Sequence, residues 1–213
     1  MSEILDIHTH KKAPQPEAIV SIRLGHDNLP EPDTDDQLYS IGIHPWDIPA
    51  SVAPEMWETL EKYAASPFVA AIGECGVDLK CGLPMFRQLE VFKHHIEISE
   101  RLRKPLVIHD VKGDDIVCGL RRDLHPSQPW CIHGFRGKPA AAAALLRAGC
   151  YLSFGEKFNP DTVKVIPSDR ILAETDESQL SINRIISNIS AVREEDLTGI
   201  IKVNSKKFCN FVG

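Results

Sequence analysis

The chain has 213 residues, 43% of them hydrophobic, and a net charge of −6. These values suit a single globular domain, residues 1–213, with a sizeable core, and no internal repeat or low-complexity tract interrupts it. The acidic balance excludes a general electrostatic pull toward nucleic acid; a local basic rim remains compatible with it, because steering depends on how charge is distributed.

The first predicted strand is residues 4–8, Ile4-Leu5-Asp6-Ile7-His8, followed by Thr9-His10. The second spans 18–24 and the third 39–43. The crossovers into these two strands lack room for a full helix; the later one, 26–37, is acidic and proline-rich. Helical spacing first appears over 54–65, where Pro54 suits a first helical position and Trp57, Leu60 and Ala64 share a face. The fourth strand, 69–73, runs into Gly73-Glu74-Cys75-Gly76-Val77-Asp78. A long amphipathic helix over 85–103 leads to the fifth strand, 105–109. A shorter helix over 114–124 precedes the sixth, 129–133. An alanine-rich helix over 139–148, with Gly149 to cap it, precedes the seventh, 150–154. The eighth strand, 170–175, is followed by helices over 181–192 and 194–211.

Several of these strands are apolar on both faces, as parallel strands covered by helices must be. Their alternation with helices implies right-handed crossovers in a parallel sheet. The predicted fold is therefore α/β: a compact (β/α)8 TIM barrel with reduced helices after the first and second strands. A doubly wound open sheet is the alternative, but its site sits at one switch point rather than at the ends of many strands.

The strands end, one after another, in side chains that bind metal ions. His8 and His10 are two apart in extended backbone and point the same way, with Asp6 expected on that face deeper in the barrel. Glu74 ends the fourth strand between glycines that permit close approach. His109 and His133 end the fifth and sixth strands. Asp176 follows the eighth, which neighbours the first in a closed barrel. Taken singly, each reads as a packing, capping or hydrogen-bonding residue. Taken together at one mouth, His8, His10, Glu74, His109, His133 and Asp176 read as a metal centre for two divalent ions sharing the Glu74 carboxylate. Oxygen and imidazole donors without thiolate suit zinc, manganese, magnesium or cobalt. Two ions about 3.5–4 Å apart activate a bridging water. Asp176 can hold that water and accept its proton, so Glu74 and Asp176 are candidate catalytic groups.

His44, in Ile43-His44-Pro45-Trp46, faces the same mouth without being needed as a ligand. It reads as a phosphate contact or general acid, with a buried structural histidine as the competing reading. Asp78 reads as a turn cap or a support for a ligand. Arg136 is a candidate phosphate contact, Phe135 stacks or packs, and Lys138 reads as a solvated loop residue. Trp46 and Trp57 are rim or core. His26, His94, His95 and His125 are expected on the surface. The six cysteines form no CxxC pair or zinc-finger spacing, and most read as buried small hydrophobes in a reducing compartment. Cys75 is expected to point away from Glu74. No long apolar stretch or signal pattern appears, so the expected location is cytoplasmic, with no membrane association and no obligate protein partner.

Asp6-Ile7-His8-Thr9-His10, Gly42-Ile43-His44-Pro45-Trp46, Ala71-Ile72-Gly73-Glu74-Cys75-Gly76-Val77-Asp78, Pro105-Leu106-Val107-Ile108-His109, Ile132-His133-Gly134-Phe135 and Glu174-Thr175-Asp176 occur in this order. The set resembles the TatD family of metal-dependent hydrolases, within the wider amidohydrolase-type barrels. The resemblance implies that His8, His10, Glu74 and Asp176 hold one metal and that Glu74, His109 and His133 hold the other. It also implies phosphodiester chemistry of the deoxyribonuclease kind, with a phosphodiester such as single-stranded DNA as substrate. The departures lie on the substrate side. An Arg common in the family two residues beyond the fifth-strand His is missing, and Lys112 stands one residue later as a candidate phosphate contact. The loop after Asp176 is short and lacks the family's basic residues. Asn204, in the last helix, reads as structural. Two other readings keep the barrel: an amide or lactone hydrolase or deaminase, and a metal-binding assembly protein without catalysis.

Overall fold

The computed structural model describes residues 3–30 and 37–210. Eight parallel strands pair in chain order: β1 (Asp6–Thr9), β2 (Ala18–Arg23), β3 (Leu38–Gly42), β4 (Val69–Asp78), β5 (Leu106–Val111), β6 (Trp130–Ile132), β7 (Tyr151–Phe154) and β8 (Ile171–Ala173). A parallel bridge between Thr9 and Asp176 joins the last strand to the first. The Asp176 N–H donates to the His8 carbonyl at 3.0 Å, and the His10 N–H to the Asp176 carbonyl at 3.1 Å. The fold is thus a (β/α)8 barrel, and the open sheet is ruled out.

Among the described residues seven α-helices surround it: α1 (Pro54–Ala64), α2 (Met85–Leu102), α3 (Asp114–Leu124), α4 (Pro139–Arg147), α5 (Pro160–Val165), α6 (Ile182–Arg193) and α7 (Thr198–Phe208). No helix follows β1 or β2 among the described residues; part of the acidic linker, 31–36, lies outside them. With no helix over β1, a groove of about 720 Å³ lies open, lined by Asp6, Lys11, Glu17, Thr175 and Asn183 among others.

Most strand ends shift by one or two residues from the sequence expectation, and three larger differences have a visible cause. Helix α5 was not anticipated; Asn159 starts it by accepting from the Asp161 and Thr162 N–H groups, with Pro160 next. The last helix begins at Thr198 rather than 194, because Glu194 is left-handed at φ 55° and ends α6. Strand β4 continues to Asp78, since β5 stays paired with it up to Val111. That pairing is close: a Cβ on Gly73 would lie 2.3 Å from the Val107 carbonyl oxygen, and one on Gly76 2.2 Å from that of His109. Both glycines also have positive φ, 135° and 138°, so only glycine fits either place.

The strands serve two apolar cores. One face packs beneath the helices, with Ile41, Ile72, Ile108, Ile132, Phe154 and Ile171 fully or almost fully buried. The other fills the barrel floor with Ile7, Ile19, Ala71, Val107, Cys131 and Leu172, joined by Phe208 and Cys209 from the chain's last helix and its cap. Asn204 is buried and ties α7 to the barrel through the Ser168 and Ile171 carbonyls, at 2.7 and 2.8 Å. No helix among the described residues is long and apolar enough to cross a membrane.

Candidate metal centre

On three strands the site sits one pleat above the apolar floor. Val107 and His109 share a face of β5. Cys131 is followed two residues later by His133, and Leu172 by Glu174. Alternation along a strand places each pair on the same side, so the strands that build the floor also aim these groups into the mouth.

Glu74 is the centre of the cluster. It is 2% exposed and its two oxygens face different partners. Oε2 lies 3.4 Å from His8 Nε2 and 3.3 Å from His10 Nε2. Asp176 Oδ1 stands 3.9 and 3.8 Å from the same two nitrogens. Oε1 lies 2.8 Å from His109 Nδ1 and 2.7 Å from His133 Nε2. It also lies 3.2 Å from His44 Nε2. Four of the expected metal-binding residues, His8, His10, His109 and His133, therefore meet His44 at the Glu74 carboxylate, and Asp176 stands beside His8 and His10.

The electrostatics follow from this crowding. Burial pushes the Glu74 carboxyl up, but His133 and the hydrogen bonds from His10, His109 and His133 outweigh it and hold the group well below its usual range. Burial likewise opposes charge on His133, yet Glu74 and Glu174 raise it well above an ordinary imidazole. His10 is raised too, against its own burial, by Glu74 and Asp176. His8 goes the other way, lowered by burial and by His133.

The side chains fit divalent cations on two observations. His8 is fully buried, and neither of its ring nitrogens has a hydrogen-bond partner among the described residues. A buried polar group without a partner is costly, and a cation between His8 and Glu74 would satisfy it. The donor set is also that of a divalent site: imidazole nitrogens and carboxylate oxygens lie within 4.8 Å of one another in His8, His10 and Asp176, and again in His8, Glu74 and His133.

Around this set are supports that orient it. Glu174, fully buried, receives His133 Nδ1 at 3.3 Å, which turns Nε2 toward Glu74. Nothing in the sequence assigned it this role; its position two residues beyond Leu172 in the same pleat was the available signal. Asp78 meets His109 Nε2 at 3.4 Å and accepts from the Lys80 N–H at 2.7 Å, so it both supports a ligand candidate and caps a turn. His44 Nδ1 accepts from the Trp46 N–H at 3.1 Å, which leaves the proton on Nε2, facing Glu74.

Other expectations divide. Arg136 is exposed and lines a cavity of about 420 Å³ with Glu174, Asp176 and Lys157. Lys112 is exposed in the turn after β5, left-handed at φ 61°, and does not line that cavity. Phe135 is buried and packs edge-on against Phe154. Lys138 is exposed. Trp57 packs against the outer core beside His94, whereas Trp46 stands at the rim, 62% exposed. Cys75 turns into the outer core, and burial pushes its thiol well above the ordinary range.

Two expectations are corrected. Asp6 does not share the face of the His pair. Strand β1 is irregular between Asp6 and Thr9, and the Asp6 carboxylate instead binds the Thr175 N–H at 3.0 Å and its hydroxyl at 2.6 Å. His95 is not on the surface. It is fully buried, accepting the Ile43 N–H on Nε2 at 2.9 Å and sharing Nδ1 with the Val91 carbonyl at 2.7 Å. It thereby braces the backbone just before His44.

Known proteins resemble this chain in sequence and in fold. The family model for TatD related DNase matches residues 31–210. An uncharacterized metal-dependent hydrolase from Buchnera aphidicola is 34% identical over 155 residues, 68% of this chain and 57% of its own length. The uncharacterized metal-dependent hydrolase YcfH from Escherichia coli K12 is 32% identical over 160 residues, 70% of this chain and 58% of its own. The chain thus spans less than two thirds of the length of these relatives. In fold it is similar to YJJV, a TatD homologue from Escherichia coli K12, with a TM-score of 0.81 over 98% of both chains at 18% identity. A TatD family hydrolase from Entamoeba histolytica superposes with a TM-score of 0.73 over 97% of this chain and 98% of its own at 14% identity. With the family model covering most of its length, this chain belongs to the TatD-related DNase family.

Proposed function

We propose that the chain is a divalent-metal-dependent hydrolase that cleaves phosphodiester bonds, with single-stranded DNA as substrate. The observation that supports it most is the division of Glu74: Oε2 toward His8, His10 and Asp176, Oε1 toward His109 and His133. On this reading His8, His10, Glu74 and Asp176 would hold one ion, and Glu74, His109 and His133 would hold another. Zinc, manganese, magnesium and cobalt all suit these donors. Such ions supply an activated water and offset charge on the phosphate oxygens.

The remaining work falls to the protein. Asp176 lies at the open edge of the cluster, its side chain 27% exposed, and takes the proton from the attacking water. His44 carries its proton on Nε2, fixed there by the Trp46 N–H on Nδ1, and offers it to a phosphate oxygen beside Glu74. Arg136, in the cavity that Asp176 also lines, holds a neighbouring phosphate with its planar fork. Lys112 adds a point charge at the rim.

Metal analysis of the purified protein, paired with a substrate panel, tests the reading. The expected result is about two equivalents of metal, with phosphodiester turnover lost on chelation and restored by added metal. Metal-loaded protein that cut a carboxylic ester or an amide but no phosphodiester would overturn it, as would a lack of turnover on every substrate.

A further inference from the structure

Trp46 is 62% exposed, yet its ring is fixed in place. The Nε1–H donates to Asp78 Oδ2 at 2.8 Å, and Asp78 is itself buried and held by the Lys80 N–H. Arg23, locked by two hydrogen bonds to Asp47, lies 5.9 Å from the ring centroid. The ring meets His44 edge-on at 4.8 Å and His109 at 5.8 Å between centroids. Both imidazoles reach Glu74 Oε1. A preorganised aromatic surface thus stands in water one ring away from the reacting centre.

The two sides of the mouth differ. After β6, β7 and β8 lies the charged cavity, with Arg136, Lys157, Glu156 and Glu177. After β3 and β4 stand three large exposed apolar side chains, Trp46, Leu79 at 48% and Phe86 at 70% exposure, with the exposed Lys80 next to Leu79. Leu79 adjoins Asp78, and Phe86 opens α2, whose Gln88 accepts from the Asp78 N–H at 2.7 Å. Counterion release scales with the Lys and Arg side chains that meet phosphates, and with Arg136 and Lys112 alone in that role a nucleic-acid strand needs another source of affinity. Stacking of bases on aromatic rings is that source in sequence-tolerant single-strand binding.

We propose that Trp46 is the platform on which the nucleobase beside the scissile phosphate of a single-stranded nucleic acid stacks. This rests on the phosphodiesterase reading for the position of the phosphate. A base flanking a phosphate at Glu74 lies within reach of a ring that abuts His44 and His109. The charged cavity across the mouth is left for the neighbouring phosphate.

Binding to metal-loaded protein, read by stopped-flow anisotropy before any cleavage, tests the subsite. The probes are a labelled deoxyoligonucleotide and an abasic phosphodiester strand of equal length. Trp46→Ala should weaken the base-bearing probe about tenfold, and Trp46→Phe should keep most of the affinity. The abasic strand should bind wild type about tenfold more weakly, with no further loss in Trp46→Ala. Equal affinity of wild type and Trp46→Ala for the base-bearing probe would overturn the inference. So would a parallel loss on both probes, or no binding by wild type. Binding that depends on Trp46 without subsequent cleavage would sink the phosphodiesterase reading and leave the subsite standing; cleavage indifferent to Trp46 would do the reverse.

Discussion

The floor and the mouth of this barrel are built by the same strands and differ by one pleat. Val107 gives way to His109, Cys131 to His133 and Leu172 to Glu174. Burial does not separate the two levels, since Ile7 and His8 are both fully buried. What separates them is the demand for partners. In the floor, Ile19, Ala71, Val107 and Phe208 need only shape, and neighbours of similar volume would serve. In the mouth each group needs a particular opposite: Glu74 needs imidazoles, His133 needs two carboxylates, and the ring nitrogens of His8 have no hydrogen-bond partner among the described residues.

Removing the shared partner should therefore have the largest effect. Glu74→Ala is expected to lower turnover on the order of 10³-fold or more and to empty both metal positions, as read by metal analysis of the purified variant. Retention of both metals would break the assignment of Glu74 as their common ligand. The floor should respond in a different quantity. Phe208→Ala is expected to cost about 3–5 kcal/mol in denaturant unfolding, because it opens a cavity beneath the barrel. Metal content per folded molecule should hold. A loss of metal there, with stability intact, would mean that the two levels are not separable.

This contrast also explains what could be read from the sequence. The strands were legible because short apolar runs, several of them apolar on both faces, end in ligating residues. His8, His10, Glu74, His109, His133 and Asp176 were each anticipated, and the structure gathers them at one mouth. Asp6 was misplaced because regular alternation was assumed through a bulge, which no residue pattern in the Asp6–Thr9 stretch announces. His95 was misplaced because a histidine on a helix reads as polar. Its burial depends on the Ile43 N–H, 52 residues earlier in the chain and in need of an acceptor. Trp46 could be placed at rim or core only once the ring's bond to Asp78 was known. Contacts between distant segments decided each of these, and local pattern carries no record of them.

Glu174 is the residue that tests where the boundary between the two levels falls. It stands at the height of the mouth but is fully buried; it reaches Glu74 through His133, and it lies within 4.8 Å of Asp176 as well. Its site is tight: a Cβ on Gly134 would lie 3.3 Å from its Oε1, and one on Gly155 3.6 Å from its Cγ. Glu174→Gln keeps the shape and one acceptor while removing the charge that helps raise His133. If Glu174 belongs to the mouth, metal affinity at the His109–His133 side should fall about 10–100-fold, with turnover recovering at high metal concentration. Calorimetric metal titration of wild type and variant measures this directly. An unchanged titration together with altered thermal stability would assign Glu174 to the floor, as a buried acid that braces His133 without tuning it.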